Sequence, residues 1–201
     1  MKRKIMIDAG HGGQFSGAVT TKTNYSGLPD TTHRESDINL KAAMILRAQL
    51  EMSGYEVMMT REKDRDFGPN VTEDLQVRCE MERMFKPECF ISIHCNAHMN
   101  EKAEGFEIWT SVGVTEADRL AEEIYMAVAS TKSLKMRSDM EDGDHDREKH
   151  LYVLDRTRCP AVLLELGFMT NDGDLTMLLD QVALEELMGN VKTGINWWMR
   201  N

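Results

Sequence analysis

Short apolar runs alternate with longer amphipathic stretches along the chain, and this alternation constrains the fold more than any other feature of the sequence. The first apolar run lies at about residues 3–8 and is followed by an amphipathic stretch at about residues 36–53. The second run, Tyr55 to Thr60, precedes a stretch that begins at Asn70, and Asn70 and Glu73 have the spacing of a capping box. Repeated strand-helix units predict an α/β fold.

The same alternation predicts the other elements. Two of the runs contain almost only apolar residues, which is typical of strands covered on both faces in a mainly parallel sheet. The predicted elements after the second unit are strands at Cys89 to Ile93, Gly105 to Thr110, Leu151 to Asp155 and Ala161 to Leu164, a helix at Thr115 to Lys132, and one or two helices over Leu175 to Met199.

The size of the chain suits a single domain. With 201 residues, 41% of them hydrophobic, it can bury a core of its own. We therefore expect one domain over residues 1–201 with one functional site. Residues 14–34 are rich in small polar side chains and residues 136–149 in charged ones, so both are interpreted as surface loops.

The charge and the N-terminus limit the classes of function. A net charge of −10 argues against binding nucleic acid or anionic membrane through a basic face, and no run is long enough to span a membrane. The N-terminus passes from Met1-Lys2-Arg3-Lys4 straight into the first strand, without the apolar region of a signal peptide. We expect the chain as encoded to be cytoplasmic, or periplasmic or extracellular if a leader was trimmed.

Chemically active side chains follow three of the predicted strands. His11 follows the first, inside Gly10-His11-Gly12-Gly13, His94 follows the third, and Glu165 follows the last. Ligands of an open α/β sheet bind outside the carboxyl ends of its strands, so these side chains should converge. Glu35, at the start of the helix predicted at about residues 36–53, would face the same rim.

Two imidazoles and one carboxylate are a usual set of protein ligands for catalytic zinc, and a remaining carboxylate can serve as a base. The residues therefore predict a zinc site suited to hydrolysis of an amide. Taken alone, His94 could equally be a core histidine, and Glu35 a first-turn glutamate that interacts with the helix dipole.

A series of short motifs extends over nearly the whole chain in a fixed order. They are Asp8-Ala9-Gly10-His11-Gly12-Gly13, Glu35 with Asp37-Ile38-Asn39-Leu40, Gly54-Tyr55-Glu56-Val57 with Thr60-Arg61, Arg78, Ser92-Ile93-His94-Cys95-Asn96-Ala97, Leu151-Tyr152-Val153-Leu154, and Pro160-Ala161-Val162-Leu163-Leu164-Glu165-Leu166-Gly167-Phe168 with Asn171.

In these motifs the chain resembles the zinc-dependent N-acetylmuramoyl-L-alanine amidases of the Amidase_3 type, which include cell-separation enzymes, sporulation enzymes and phage endolysins. The resemblance implies a twisted, mostly parallel sheet of about six strands with helices on both faces. It also implies that His11, Glu35 and His94 bind zinc and that Glu165 is the catalytic glutamate. The implied substrate is peptidoglycan, cut between the lactyl group of N-acetylmuramic acid and L-alanine by a single catalytic domain.

The chain departs from the family pattern at Ala9, where proline is usual, and at Cys95, where a small alanine is usual. Neither change removes a ligand. Substrate-specific contacts are expected in the segment Thr20 to Tyr25. No long apolar insertion is present that could cover the zinc, so we expect an enzyme that is active without an activator. We also expect it to be a monomer.

Three other functions are compatible with parts of the pattern. A zinc peptidase or deacetylase would use the same ligands on another amide. A catalytically inactive wall-binding module would have lost a ligand or the base, whereas all four residues are present. A thiol nucleophile would pair Cys95 with His94, but neighbours on a strand point to opposite faces. An endolysin and a host enzyme that has lost its leader remain equal alternatives.

Overall fold

The computed structural model describes residues 2–22, 31–132, 134–140 and 143–200. Strands are numbered in chain order: β1 Lys4–Ala9, β2 Val19–Lys22, β3 Thr31–Arg34, β4 Glu56–Met59, β5 Cys89–Asn96, β6 Glu107–Thr110, β7 Arg147–Glu148 and β8 Ala161–Phe168. The helices are α1 Glu35–Met52, α2 Val71–Phe85, α3 Glu116–Ala129, α4 Tyr152–Arg156, α5 Asp172–Leu179 and α6 Gln181–Arg200.

Six strands form one sheet in the order β4-β1-β5-β8-β6-β7. The first four are parallel to their neighbours, β6 is antiparallel to β8, and β7 is parallel to β6. Helices cover both faces, because Ile5 and Ile7 of β1 pack in a core with α1, α3 and α6, while Met6 packs in a second core with α2 and α4. The predicted mostly parallel six-stranded α/β fold is confirmed.

The start of α2 follows its local signal. The side chain of Asn70 accepts a hydrogen bond from the backbone N–H of Glu73 over 3.0 Å, and the Asn70 amide also contacts the Glu73 carboxylate. This satisfies one of the free N–H groups of the first turn. The predicted N-cap at Asn70 is therefore confirmed.

The predicted strand at Leu151 to Asp155 is wrong, because Tyr152–Arg156 form the short helix α4. Its apolar residues Val153 and Leu154 are buried against the sheet. A strand here would need a free neighbour, but both edges of β8 are already paired, with β5 on one side and β6 on the other. A five-residue apolar run has too few positions to distinguish the two periods.

Both predicted loops contain paired segments. Strands β2 and β3 pair antiparallel within residues 14–34, and residues 23–25 of the segment expected to contact substrate lie outside the described residues. Within residues 136–149, Met136 pairs with Phe106, and β7 pairs with β6. This second loop covers the outer edge of β6, whose backbone groups would otherwise be unpaired.

Among the described residues no helix is long and apolar enough to cross a bilayer.

Candidate metal centre

Three adjacent strands bring the predicted site residues to one edge of the sheet. In the registers of β1 with β5 and of β5 with β8, Ala9 is paired with Ile93 and His94 with Glu165. The expectation that His94 and Glu165 follow their strands is wrong, because the pairing of β5 with β8 continues past both residues. Beyond β1, the backbone N–H of Gly10 donates to the carbonyl of Ile93 over 3.0 Å. The turn that carries His11 is therefore held directly against the strand that carries His94.

The side chains of His11, Glu35 and His94 meet at this edge. Nδ1 of His94 lies 3.0 Å from Oε1 of Glu35, and Nε2 of His11 lies 3.3 Å from Oε2 of the same carboxylate. One ligand atom of each residue lies within 4.8 Å of the other two. No other group of this kind occurs in the described ranges. The arrangement is a candidate metal-binding triad.

The backbone around His11 has a conformation that depends on glycine and on two buried arginines. His11 itself has φ 63°, in the left-handed region, and Gly12 follows with φ 135°. Arg78 donates to the carbonyl oxygen of His11 over 2.9 Å, and Arg61 donates to those of Ala9 and Gly10. These hydrogen bonds hold the backbone of residues 9–11 in this conformation.

Glu35 is held as an anion at the first residue of α1. Its side chain is 6% exposed. Its carboxylate also accepts hydrogen bonds from the backbone N–H groups of Ala18, over 2.9 Å, and of Cys95, over 3.2 Å. Burial alone would raise the pKa of Glu35, but the hydrogen bonds to His11 and His94 hold it well below its ordinary value. An ionised, oriented carboxylate of this kind is suited to bind a cation.

Glu165 stands beside the triad in a different state. Its Oε2 is shielded from solvent and has no hydrogen-bond partner among the described residues. Burial, and then the nearby carboxylates of Glu35 and Glu107, raise the pKa of Glu165 well above its ordinary value. Glu35, whose pKa is lowered, and Glu165, whose pKa is raised, thus lie at one site. Such a difference suits a site where one carboxylate binds a cation and the other exchanges protons.

A buried ion-pair network lies next to the site, and its partners were not predicted from the sequence. Arg78 pairs with Asp8 over 2.7 Å and with Asp74 over 2.7 Å. Asp8 also accepts from the hydroxyls of Ser92 and Thr60. The signal that could have revealed it is Asp8 itself, because a carboxylate inside an apolar strand is costly to bury without a partner.

An apolar cavity of about 230 Å³ opens beside the two histidines. Phe15, Val71, Leu75, Leu151 and Tyr152 contribute to its lining. None of the residues lining it belongs to β6 or β7. The cavity offers an apolar surface next to the triad, as is common for sites that bind small groups.

Cys95 does not reach the triad side of β5. It is 3% exposed and packs in the core shared with α1, α3 and α6, on the face opposite His94. Burial, followed by the carboxylates of Glu35 and Glu165, raises the pKa of the Cys95 thiol well above its ordinary value. A thiol kept neutral in this way is a poor nucleophile, which argues against a cysteine mechanism.

Comparison with known proteins agrees with this architecture. The family model of Amidase_3, described as N-acetylmuramoyl-L-alanine amidase, matches residues 5–197. The probable cell wall amidase LytH of Staphylococcus aureus is 32% identical over 193 residues, which are 96% of this chain. The chain spans 57% of the length of that relative.

Solved structures share the fold over the full chain. The N-acetylmuramoyl-L-alanine amidase AmiC2 of Nostoc punctiforme superposes with a TM-score of 0.79 at 26% identity, covering 100% of this chain and 99% of that one. The CwlD amidase of Clostridioides difficile, solved in complex with the GerS lipoprotein, superposes with a TM-score of 0.82 at 26% identity. That superposition covers 99% of both chains.

Proposed function

This chain belongs to the Amidase_3 family of N-acetylmuramoyl-L-alanine amidases, and we propose that it hydrolyses the amide bond between the lactyl group of N-acetylmuramic acid and L-alanine in peptidoglycan. The observation that carries this proposal is the meeting of His11, Glu35 and His94 beside Glu165 at the carboxyl edge of the sheet. Residues 1–201 would act as one catalytic domain, monomeric, on the cell wall.

The donor set fits zinc. His11 and His94 would each supply a ring nitrogen and Glu35 an oxygen, which is a usual set for a catalytic zinc ion that keeps a position open. Because the pKa of Glu35 is lowered from its ordinary value, the carboxylate is already ionised at neutral pH and loses no proton when it binds a cation. When bound there, the ion would polarise the amide carbonyl and lower the pKa of water toward ~7.

Glu165 would carry the protons of the reaction. Its Oε2 has no hydrogen-bond partner among the described side chains and backbone, so its capacity to accept a hydrogen bond is unused. As a base the carboxylate takes a proton from the attacking water, and as an acid it returns that proton to the departing nitrogen. A buried carboxyl with a raised pKa holds the proton between the two transfers.

The test is to measure zinc content and the release of new L-alanine amino termini from purified sacculi by the same preparation. Glu165→Gln keeps the size of the side chain and removes its charge, and Glu186→Gln makes the same change at an exposed position on α6. We expect about one zinc per chain in all three proteins. We expect activity in the wild type and Glu186→Gln only.

Two results would contradict the proposal. Full activity of Glu165→Gln would remove the proton-carrying role of that residue. New amino termini other than alanine, or release of acetate, would indicate a peptidase or a deacetylase. A large gain in turnover with an added partner protein would contradict the expectation that no activator is needed.

A further inference from the structure

Glu107 is a buried carboxylate that the proposed mechanism does not use. It lies on β6 opposite Glu165 on β8, and residues paired across antiparallel strands point to the same face of the sheet. Glu107 is 3% exposed. The face of the sheet that carries the proposed catalytic glutamate therefore continues outward over β6.

Two arginines flank this carboxylate from the edge of the sheet. Nε of Arg137 forms an ion pair with Oε1 of Glu107, and Nε of Arg147 lies 3.9 Å from Oε2. The Arg147 Nε is shielded from solvent, and no hydrogen-bond partner for it occurs among the described residues. One guanidinium group is enough to neutralise Glu107, so the second is not explained by that role.

The same surface is accessible and carries an aromatic ring. The side chains of Arg137 and Arg147 are 33% and 28% exposed. The Arg147 guanidinium lies 5.6 Å from the ring centre of Trp109, and the ammonium of Lys149 lies 5.9 Å from it. Three cationic groups around Trp109 and Glu107 form a local cationic surface on a chain whose net charge is −10.

We infer that Arg137 and Arg147 bind a free carboxylate of the peptide stem, on the nitrogen side of the scissile amide. This inference rests on the proposed function. Guanidinium groups recognise carboxylates with paired hydrogen bonds, and both arginine side chains are partly exposed on the face of the sheet that carries Glu165. The stem would leave the site over β6, and the muramoyl group would lie toward the apolar cavity, which β6 does not line.

The experiment uses two muramoyl peptides that differ only in whether a carboxylate of the stem is free or amidated. For the wild type we expect a KM about tenfold lower with the free carboxylate, as the loss of a charge-assisted hydrogen bond predicts. Arg137→Gln and Arg147→Gln should bring this ratio close to one. Arg47→Gln, a matched change on α1 where the arginine pairs with Glu51 and Glu62, should retain the wild-type ratio.

Folding defects are separated from lost recognition by further variants. Arg137→Gln leaves the buried Glu107 unpaired, whereas Arg137→Gln with Glu107→Gln removes both charges together, and Arg147→Gln leaves the Arg137 pair intact. The ratio should fall in all of them and should be largely retained in Arg137→Lys. A wild-type ratio near one, or a ratio unchanged in Arg147→Gln, would overturn the inference while leaving the amidase proposal standing. Cleavage of neither substrate would overturn both.

Discussion

The guanidinium of Arg78 donates a hydrogen bond to the carbonyl oxygen of His11 over 2.9 Å, across 67 positions of sequence. The same group forms buried ion pairs with Asp8 and Asp74, so it cannot shift without breaking them. This hydrogen bond thereby stabilises the left-handed backbone of His11, at φ 63°. A proposed metal ligand depends on a charged side chain that never touches the metal position.

Replacing Arg78 tests whether this buried network stabilises the fold that holds His11. Arg78→Met leaves two buried carboxylates without their partner, and we expect a loss of about 3–5 kcal/mol in the free energy of unfolding, measured by urea denaturation. Arg47→Met removes an exposed arginine that pairs with Glu51 and Glu62, and should cost about 1 kcal/mol or less. Equal losses in the two variants would show that the buried network does not stabilise the fold.

Gly17 is a second residue that the triad requires. It has φ 69°, and a Cβ at this position would overlap Oε2 of Glu35 and lie 2.6 Å from Cδ2 of His11. Gly54 also has positive φ, at 93°, but a Cβ there meets nothing within 4 Å. Both alanine variants suffer backbone strain of about 1–2 kcal/mol.

Only Gly17→Ala should therefore disturb the ligands. We expect its zinc affinity, measured by competition with a chelating dye, to fall at least about tenfold, and that of Gly54→Ala to stay at the wild-type value. A wild-type affinity in Gly17→Ala would mean that the triad rearranges without cost, or that it does not bind the metal.

Removal of the metal should lower thermal stability. A ligand that binds only the folded chain stabilises it by ~2.7 kcal/mol at a concentration a hundred times its Kd. For a chain of this size that corresponds to a rise in Tm of roughly 5–10 °C when zinc is added after chelation. His94→Ala should lose this response, and His98→Ala, an exposed histidine near the same edge, should keep it. A shift that persists in His94→Ala would place the zinc elsewhere.

The fourth prediction concerns Asp146, which the sequence analysis interpreted as part of a surface loop. It is 2% exposed, and its carboxylate accepts a hydrogen bond from the Thr110 hydroxyl. Burial raises the pKa of Asp146 to about 7, from an ordinary value of 3.8. The Thr110 hydrogen bond acts against this rise, whereas the neighbouring carboxylates of Asp144 and Asp118 add to it.

The raised pKa of Asp146 should make the fold less stable as pH rises. Between pH 3.8 and about 7 the folded chain keeps a proton on Asp146 that the unfolded chain releases, so this stabilisation is lost as pH rises through about 7. Asp146→Asn mimics the protonated form at every pH. At pH 8 we expect its Tm to exceed that of the wild type by at least about 2 °C, and at pH 5 by less. Glu186→Gln should show no such pH-dependent difference, and a lower Tm of Asp146→Asn at pH 8 would contradict the prediction.

The sequence predicts the order of the elements well where the signal is local. A continuous apolar run, an N-cap at Asn70, and an ionisable residue directly after an apolar run are each encoded within a few neighbouring positions. The strand-end rule then brings His11, His94 and Glu165 to one edge, because parallel neighbouring strands end on the same side. Their roles as ligands and as proton carrier remain predictions for the zinc and activity measurements.

The sequence by itself determined the α/β class, the starts of β5 and β8 and the family, because each depends on residue type and local spacing. Only the tertiary structure decided that Leu151 to Asp155 is not a strand, since that depends on which sheet edges are already occupied. The partnerships of Arg78 with Asp8 and of Arg137 with Glu107 were likewise decided only in three dimensions. A charged residue that will be buried can be recognised in the sequence when it lies inside an apolar run. Its partner depends on which distant segments pack against that run in the fold.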